Sequence, residues 1–404
     1  MSQNNVEGFR LSPQQRHIWS LQQVSAFPIY QVLSTISING NLSQEILECA
    51  FSDVVGRHEI LRTTFQRPSG IKIPFQVISD AAPLSLQFSD LSNLDHERQR
   101  SKLEESFAAE SGRSFDFDRG PLLRASLFKL SSEEHLLLIL LPALCGDSVT
   151  LLNLMSELGR AYALILQGGA VLDEPMQYAD FAEWQNELLQ GSEEHAEQGR
   201  NFWNELKRGL SPLSLPLEKR KTTDQTFRPE AVSIDFDSSF VAGVDALAHE
   251  CETSTEVVLF ACCQAIVSRL TNQSHFVIFN LFDGRKLEDL KSAFGVYAKY
   301  LPVAYRSEDI SFASQVLATR AALSDAEEWQ EYFDPNDFSE ASTDSIAFDF
   351  TEQVSTLENA ALELSLTRQE VRLGSFKLRL RVFGQKVQSV QNWFMTRTPW
   401  IARR

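Results

Sequence analysis

The chain has 404 residues, 43% of them apolar and 23% charged, which is the mixture of a globular protein and long enough for two or three domain-sized units. Its formal net charge is −17, so it is a poor partner for nucleic acid or for an anionic membrane, both of which need a positive surface. The longest apolar run, LLLILLPALC at 136–145, is too short to span a bilayer and is broken by Pro142.

The opening residues, MSQNNVEG, lack the basic and apolar regions of a secretory signal. Around Asn41 a polar cap opens a helix, and Ile46, Leu47, Ala50, Phe51, Val54 and Val55 follow at helical spacing. Segments 122–130 and 135–141 read as a strand pair joined by the polar turn 131–134. After Asp147, residues 149–166 read as a long amphipathic helix. The stretch QGGAVLDEP at 167–175 is a linker by its Gly and Pro content. It divides the chain into units 1–175 and 176–404. The second unit opens with helices at 178–189 and 193–209 and a proline-bearing loop at 211–216. A strand at 232–236, a helix at 254–270 and a buried strand at 275–282 follow. This alternation predicts an α/β (α+β) architecture. Cys49, Cys145, Cys251, Cys262 and Cys263 have neither zinc-type spacing nor a disulfide framework. They fit a cytoplasmic protein with free thiols. No metal-ligand set, phosphate loop or Ser-His-Asp arrangement is legible, so no bound metal or cofactor is expected.

Several segments together resemble the condensation domain of nonribosomal peptide synthetases. LSPQQRHIWSL at 11–21 is similar to that family's opening motif, and RHEILRTTF at 57–65 matches RHExLRTxF almost letter for letter. FDFDRGPLLR at 115–124 and YADFAEW at 178–184 follow in the family's order. Then come Phe202-Trp203, the turn Asp283-Gly-Arg285, FGVYAKYLP at 294–302 and FKLRL at 376–380. The resemblance implies two chloramphenicol-acetyltransferase-like lobes arranged as a V-shaped pseudo-dimer. It also implies donor and acceptor carrier proteins as partners, their phosphopantetheine arms entering a tunnel between the lobes.

The family's active-site motif is HHxxxDG, and here PALCGDS stands at 142–148. Alignment puts Pro142 and Ala143 at the two histidines, Asp147 at the Asp and Ser148 at the Gly. In the family the second histidine acts on the attacking amine, and the methyl of Ala143 can neither accept a proton nor hydrogen-bond. The resemblance gives Asp147 a structural role, paired with Arg62, ahead of a catalytic one. Cys145 reads as a small packed thiol and Ser148 as the cap of the helix that follows. His58 reads as a structural hydrogen bonder, His96, His195 and His249 as solvated, and His275 as packed. Tyr297, Lys299 and Tyr300 fall where the family's tunnel segment lies. Lysine replaces a neutral residue there, and either alters the cleft or faces solvent at a strand edge. The aromatic run EEWQEYF at 327–333 either anchors a partner or packs within its lobe.

After the 376–383 strand the chain ends in WFMTRTPWIARR. Its codons from Met395, read one base out of phase, can encode Tyr-Asp-Pro-Asn-Ser-Met-Asp, a family-like continuation. This leads to the expectation of a frame-shifted tail and a truncated second lobe. Three functional readings follow. The first is a condensation domain that does not form amide bonds and serves as a platform for carrier proteins or a tailoring enzyme. The second is an acyl or aminoacyl transferase working by positioning alone. The third is a non-functional truncated product.

Overall fold

The computed structural model describes residues 8–25, 28–80, 86–170, 174–209, 213–216, 232–306, 311–338, 345–353, 356–358, 362–387 and 390–399. The opening 1–7, the linker centre 171–173, the loop positions 211–212 and the last residues 400–404 lie outside them.

In chain order the helices are α1 (Pro13–Val24), α2 (Gln44–Arg57), α3 (His96–Gly112), α4 (Ser148–Leu166), α5 (Tyr178–Gln190), α6 (Glu194–Arg208), α7 (Ser238–Glu250), α8 (Thr255–Thr271) and α9 (Phe312–Glu328). The strands are β1 (Gln31–Asn39), β2 (Thr63–Gln66), β3 (Phe75–Ile78), β4 (Gln87–Asp90), β5 (Arg124–Lys129), β6 (Glu134–Pro142) and β7 (Val232–Asp235). They continue with β8 (His275–Phe282), β9 (Lys299–Arg306), β10 (Ile346–Gln353), β11 (Thr356–Glu358), β12 (Glu363–Val371), β13 (Leu378–Val387) and β14 (Val390–Pro399).

Two compact units result. Unit 1 comprises Met1–Glu187, Arg285–Ala298 and Ser355–Leu373; unit 2 comprises Leu188–Gly284, Lys299–Val354 and Gly374–Arg404. Where the sequence places one boundary at 175, the chain crosses between units five times. Strand pairing accounts for two of these crossings: β12 lies antiparallel against β1 and completes the sheet of unit 1.

The sheet of unit 1 runs β11-β12-β1-β6-β5-β4. Its central strand β6 is the apolar run of 136–141. A strand buried on both faces needs no alternation, which is why this run is continuous. On one face α4 lays down Leu151, Leu154, Met155, Leu158, Ala161 and Tyr162, all buried and spaced three or four apart. The Tyr162 hydroxyl also accepts the Ser43 N–H at 2.9 Å and so serves the open N-terminus of α2. The opposite face packs Leu33, Phe128, Leu138 and Leu140 beneath Phe107 of α3. That helix has no basic residue in its last turn. Arg124 of β5 supplies one, its Nη2 donating to the Glu110 and Arg113 carbonyls at 3.3 and 2.9 Å.

Unit 2 is built on a second sheet, β7-β14-β13-β10-β8-β9, in which β10 lies parallel to both of its neighbours. The tail segment from Met395 to Pro399 is part of β14, whose backbone pairs with β13 and β7. Cys145, Cys251 and Cys263 are buried and all five thiols are free.

The α4 interface yields a test of scale. Leu154→Ala is expected to cost about 3 kcal/mol through lost burial and the cavity it leaves. Tyr162→Phe removes one hydrogen-bond acceptor and is expected to cost about 1 kcal/mol. Urea unfolding of both variants beside the wild type reads the ratio.

Candidate functional site

The loop 142–148 begins where β6 stops. Pro142 pairs with Gln31 as the last strand residue and has no N–H to carry the ladder further. A tight turn follows, closed by Cys145 N–H to Pro142 C=O at 2.9 Å. The Ala143 N–H donates to Tyr30 C=O at 3.1 Å, and Leu144 C=O accepts from Gln15 Nε2 at 3.0 Å. Residues 142–147 are all buried.

Asp147 is fully buried and is the N-cap of α4. Its Oδ1 accepts from the Thr150 N–H, Thr150 Oγ1 and Arg285 Nη2, each at 2.9 Å. Oδ2 accepts from Arg285 Nη1 and Tyr297 N–H at 2.9 Å and from Ala298 N–H at 3.0 Å. Five N–H donors thus fill the carboxylate, and the single Thr150 Oγ1 proton is shared between it and Gly295 C=O at 2.7 Å. Burial opposes its ionisation, but Arg285 and these N–H groups outweigh burial and hold the carboxyl below its ordinary range. Arg285 spends its other protons on Thr150 Oγ1 and on the Ala293 and Gly295 carbonyls. Its guanidinium lies 4.5 Å from the centre of the Tyr297 ring. Tyr297 packs against Tyr178 and Phe181, with centroids at 5.1 and 4.6 Å.

The segment Arg285–Ala298 is thereby clasped to the loop. It passes Tyr178 so closely that a Cβ on Gly295 would lie 1.9 Å from Tyr178 Cδ2, and Gly295 has φ +143°. Only glycine satisfies both demands. The Tyr178 hydroxyl donates to Val296 C=O at 2.9 Å and shares a hydrogen bond with Ser12 Oγ at 2.8 Å.

Two expectations for this loop are corrected. Asp147 pairs with Arg285, not Arg62. Arg62 closes a short helical turn, and its guanidinium goes to Ser79 C=O at 2.5 Å and to Glu59 at 3.4 Å. The cap of α4 is Asp147, not Ser148. The carboxylate reaches the Thr150 N–H three residues on, and Ser148 becomes the first helical residue, its carbonyl taken by Gln369 Nε2 at 2.8 Å. Cys145 is a packed thiol, and burial pushes its pKa up. His58 caps the C-terminus of α2 and stacks on Phe294 with ring centroids 3.6 Å apart. Its Nε2 lies 3.9 Å from Glu157 on α4. Glu157 also binds Arg57 at 2.6 Å and Arg160 at 2.9 Å. So the RHExLRTxF-like segment fastens α2 to α4.

The tunnel-segment residues do different things. Tyr297 belongs to unit 1 and to the Asp147 clasp. Lys299 and Tyr300 open β9 in unit 2. Lys299 is on an edge strand, yet it is 3% exposed and does not face solvent. Its ammonium donates to Gln330 C=O and the Glu331 carboxylate, both at 3.2 Å. Tyr300 packs its ring edge-on to Phe376 at 4.6 Å. His275, expected to be packed, is exposed at the first position of β8. Arg285 and Thr150 carry the clasp, a role that no local pattern signals. The Asp283-Gly-Arg285 turn is visible in the sequence, but the partner of its arginine lies 138 residues away.

The chain belongs to the condensation-domain family, whose model matches residues 6–383. It is 29% identical over 328 residues, 81% of its length, to a plipastatin synthase of Bacillus subtilis (strain 168), and spans 12% of that protein. Among solved structures, the condensation domain of the monacolin K polyketide synthase MokA gives a TM-score of 0.84 at 19% identity, covering 98% of this chain and 93% of that one. The X-domain in complex with OxyB from teicoplanin biosynthesis gives 0.80 at 22% identity, covering 98% and 89%. These two likenesses are of fold, and they agree with the α/β class expected.

Removing one member of a buried pair leaves an uncompensated charge, so Asp147→Asn is expected to cost about 3–5 kcal/mol. Chemical denaturation reads that loss, and an unchanged midpoint would refute the structural role.

A second test concerns pH. Burial raises the Glu157 carboxyl, but His58, Arg57 and Arg160 outweigh it and push the group down from 4.5 to about 2. A depressed carboxyl stabilises the fold above its unfolded pKa and loses that contribution as pH falls through the folded one. The advantage of the wild type over Glu157→Gln is therefore expected to be full above about pH 5 and to fade towards pH 2. Melting both across that window measures it.

Proposed function

We propose that this condensation-family chain does not form amide bonds itself and serves nonribosomal peptide assembly as a platform for carrier proteins or a tailoring enzyme. The carrying observation is the chemistry of the 142–148 loop. At the position the family fills with its acting histidine stands the methyl of Ala143, 0% exposed. The neighbouring carboxylate has every lone pair engaged, and a base must have one free. The Cys145 thiol is buried and held protonated, so it offers no nucleophile. Within the loop, then, no group takes a proton from an amine. The fold likeness to an X-domain solved in complex with OxyB supports the platform half of the reading. Free, largely buried thiols suit a cytoplasmic setting.

A condensation assay with loaded donor and acceptor carrier proteins, read by intact-protein mass spectrometry, tests this. Wild type is expected to give no amide product while retaining a carrier protein or the tailoring enzyme in native mass spectra. Amide product from wild type would overturn the first half; no product together with no retained partner would overturn the second. Ala143→His run alongside reports whether the missing imidazole accounts for the silence.

A further inference from the structure

Unit 2 presents a built aromatic face well apart in sequence from the 142–148 loop. Trp329 and Tyr332, on the turn after α9, gather with His195 of α6. The ring centroids are 4.9 Å apart for His195–Trp329, 5.5 Å for His195–Tyr332 and 6.1 Å for Trp329–Tyr332. His195 is exposed and the other two are half-buried. The turn is fixed from below. Trp203 Nε1 donates to Trp329 C=O at 2.9 Å, and the buried Lys299 ammonium holds Gln330 C=O and the Glu331 carboxylate. A Cβ on Gly199 would lie 2.6 Å from the Tyr332 ring, so that ring rests on the bare backbone of α6. Rigid, partly exposed Trp and Tyr are the side chains that contribute most at protein interfaces.

The exposed charge at the two helix ends beside the rings is acidic. Glu193, Glu194 and Glu197 surround the start of α6, and Asp325, Glu327 and Glu328 end α9; all six are exposed. Carboxylates at the start of α6 favour its dipole, but those in the last turn of α9 oppose it. Helix stability therefore does not account for the second group. Among the described residues, Lys299 is engaged as above, and Arg200 donates through Nη1 to the Gly191 and Leu189 carbonyls at 2.7 and 3.5 Å. The Tyr332 phenol is pushed up, by burial first and then by the Glu193 and Glu331 carboxylates, which together outweigh the opposing Arg200.

We infer that this face docks an arginine-bearing basic segment of a partner protein. Guanidinium groups lie over Trp329 and Tyr332, and their charge is met by the surrounding carboxylates. A flat, delocalised cation suits this arrangement because it stacks on the ring faces and pairs with carboxylates in the ring plane. The inference rests on the platform reading only in taking the partner to be a protein of the assembly. Its test uses a peptide, so its failure is separate from failure of the carrier assay.

Fluorescein-labelled hexa-arginine is titrated into the full chain, with hexa-lysine and hexa-glutamate beside it. Hexa-arginine is expected to bind best and hexa-glutamate not at all. Tyr332→Leu leaves the net charge unchanged and is expected to weaken hexa-arginine about fivefold or more. The pair Glu327→Gln and Glu328→Gln is expected to weaken both cationic peptides and flatten their salt dependence. Undiminished binding to Tyr332→Leu would overturn the proposal, since the attraction would then be only that of an acidic chain; so would absence of hexa-arginine binding. If Tyr332→Leu does not fold, a benzophenone-bearing hexa-arginine is photo-cross-linked to wild type. Adducts within 193–202 and 325–333 support the face, and adducts confined to other peptides reject it.

Discussion

The Asp147–Arg285 pair is the contact on which unit 1 turns. Neither side chain meets solvent. Two charges withdrawn from water stay ionised only where every lone pair and proton is answered, and here Thr150, Tyr297, Ala298, Ala293 and Gly295 complete the set. Three pieces of chain meet at that point: the end of β6, the first turn of α4 and the Arg285–Ala298 segment. The tight passage at Gly295 and the Tyr178 hydroxyl bond to Val296 both depend on that segment lying where Arg285 holds it. The same completeness lowers the proton affinity of the carboxylate.

The molecule divides its polar resources in a telling way. Around the motif loop they are turned inward and saturated. At the turn after α9, buried Lys299 and Trp203 hold the backbone from beneath, and the rings and carboxylates are left outside. A chain selected only for packing has little reason to place carboxylates at the wrong end of a helix dipole. The loop of unit 1 and the turn after α9 thus put their polar groups to opposite uses.

How much of the molecule is legible in its sequence depends on where each residue's partner lies. β6 and α4 are readable because their signals are local: a continuous apolar run and a three-four apolar stripe. α3 escapes because only Gln99 and Phe107 of its 17 residues are buried, so it carries no stripe. The α4 cap is read one residue late, since Asp and Ser are both good caps and only the geometry chooses between them. The motif assigns Arg62 to Asp147, whereas Arg285 reaches it across 138 residues of sequence. Lys299 reads as either a solvated edge residue or a cleft determinant. Its burial depends on Glu331, 32 residues further on, and no local pattern announces that partner. The fold class follows from the order of motifs; the pairings inside the site do not, because they are long-range.

The pairing of β1 with β12 has a bearing on how the chain is made. Val32 sits opposite Val371, and Asn39 opposite Glu363. On the ribosome, β1 is synthesised more than 300 residues before its neighbour, and until then one side of it is an open hydrogen-bonding edge. Contacts of such sequence separation slow folding and prolong exposure of sticky intermediates. Unit 1 is the first to be translated, yet its sheet is among the last structures to close. Nascent chains stalled before residue 363 should therefore depend on chaperones in a way that the finished protein does not.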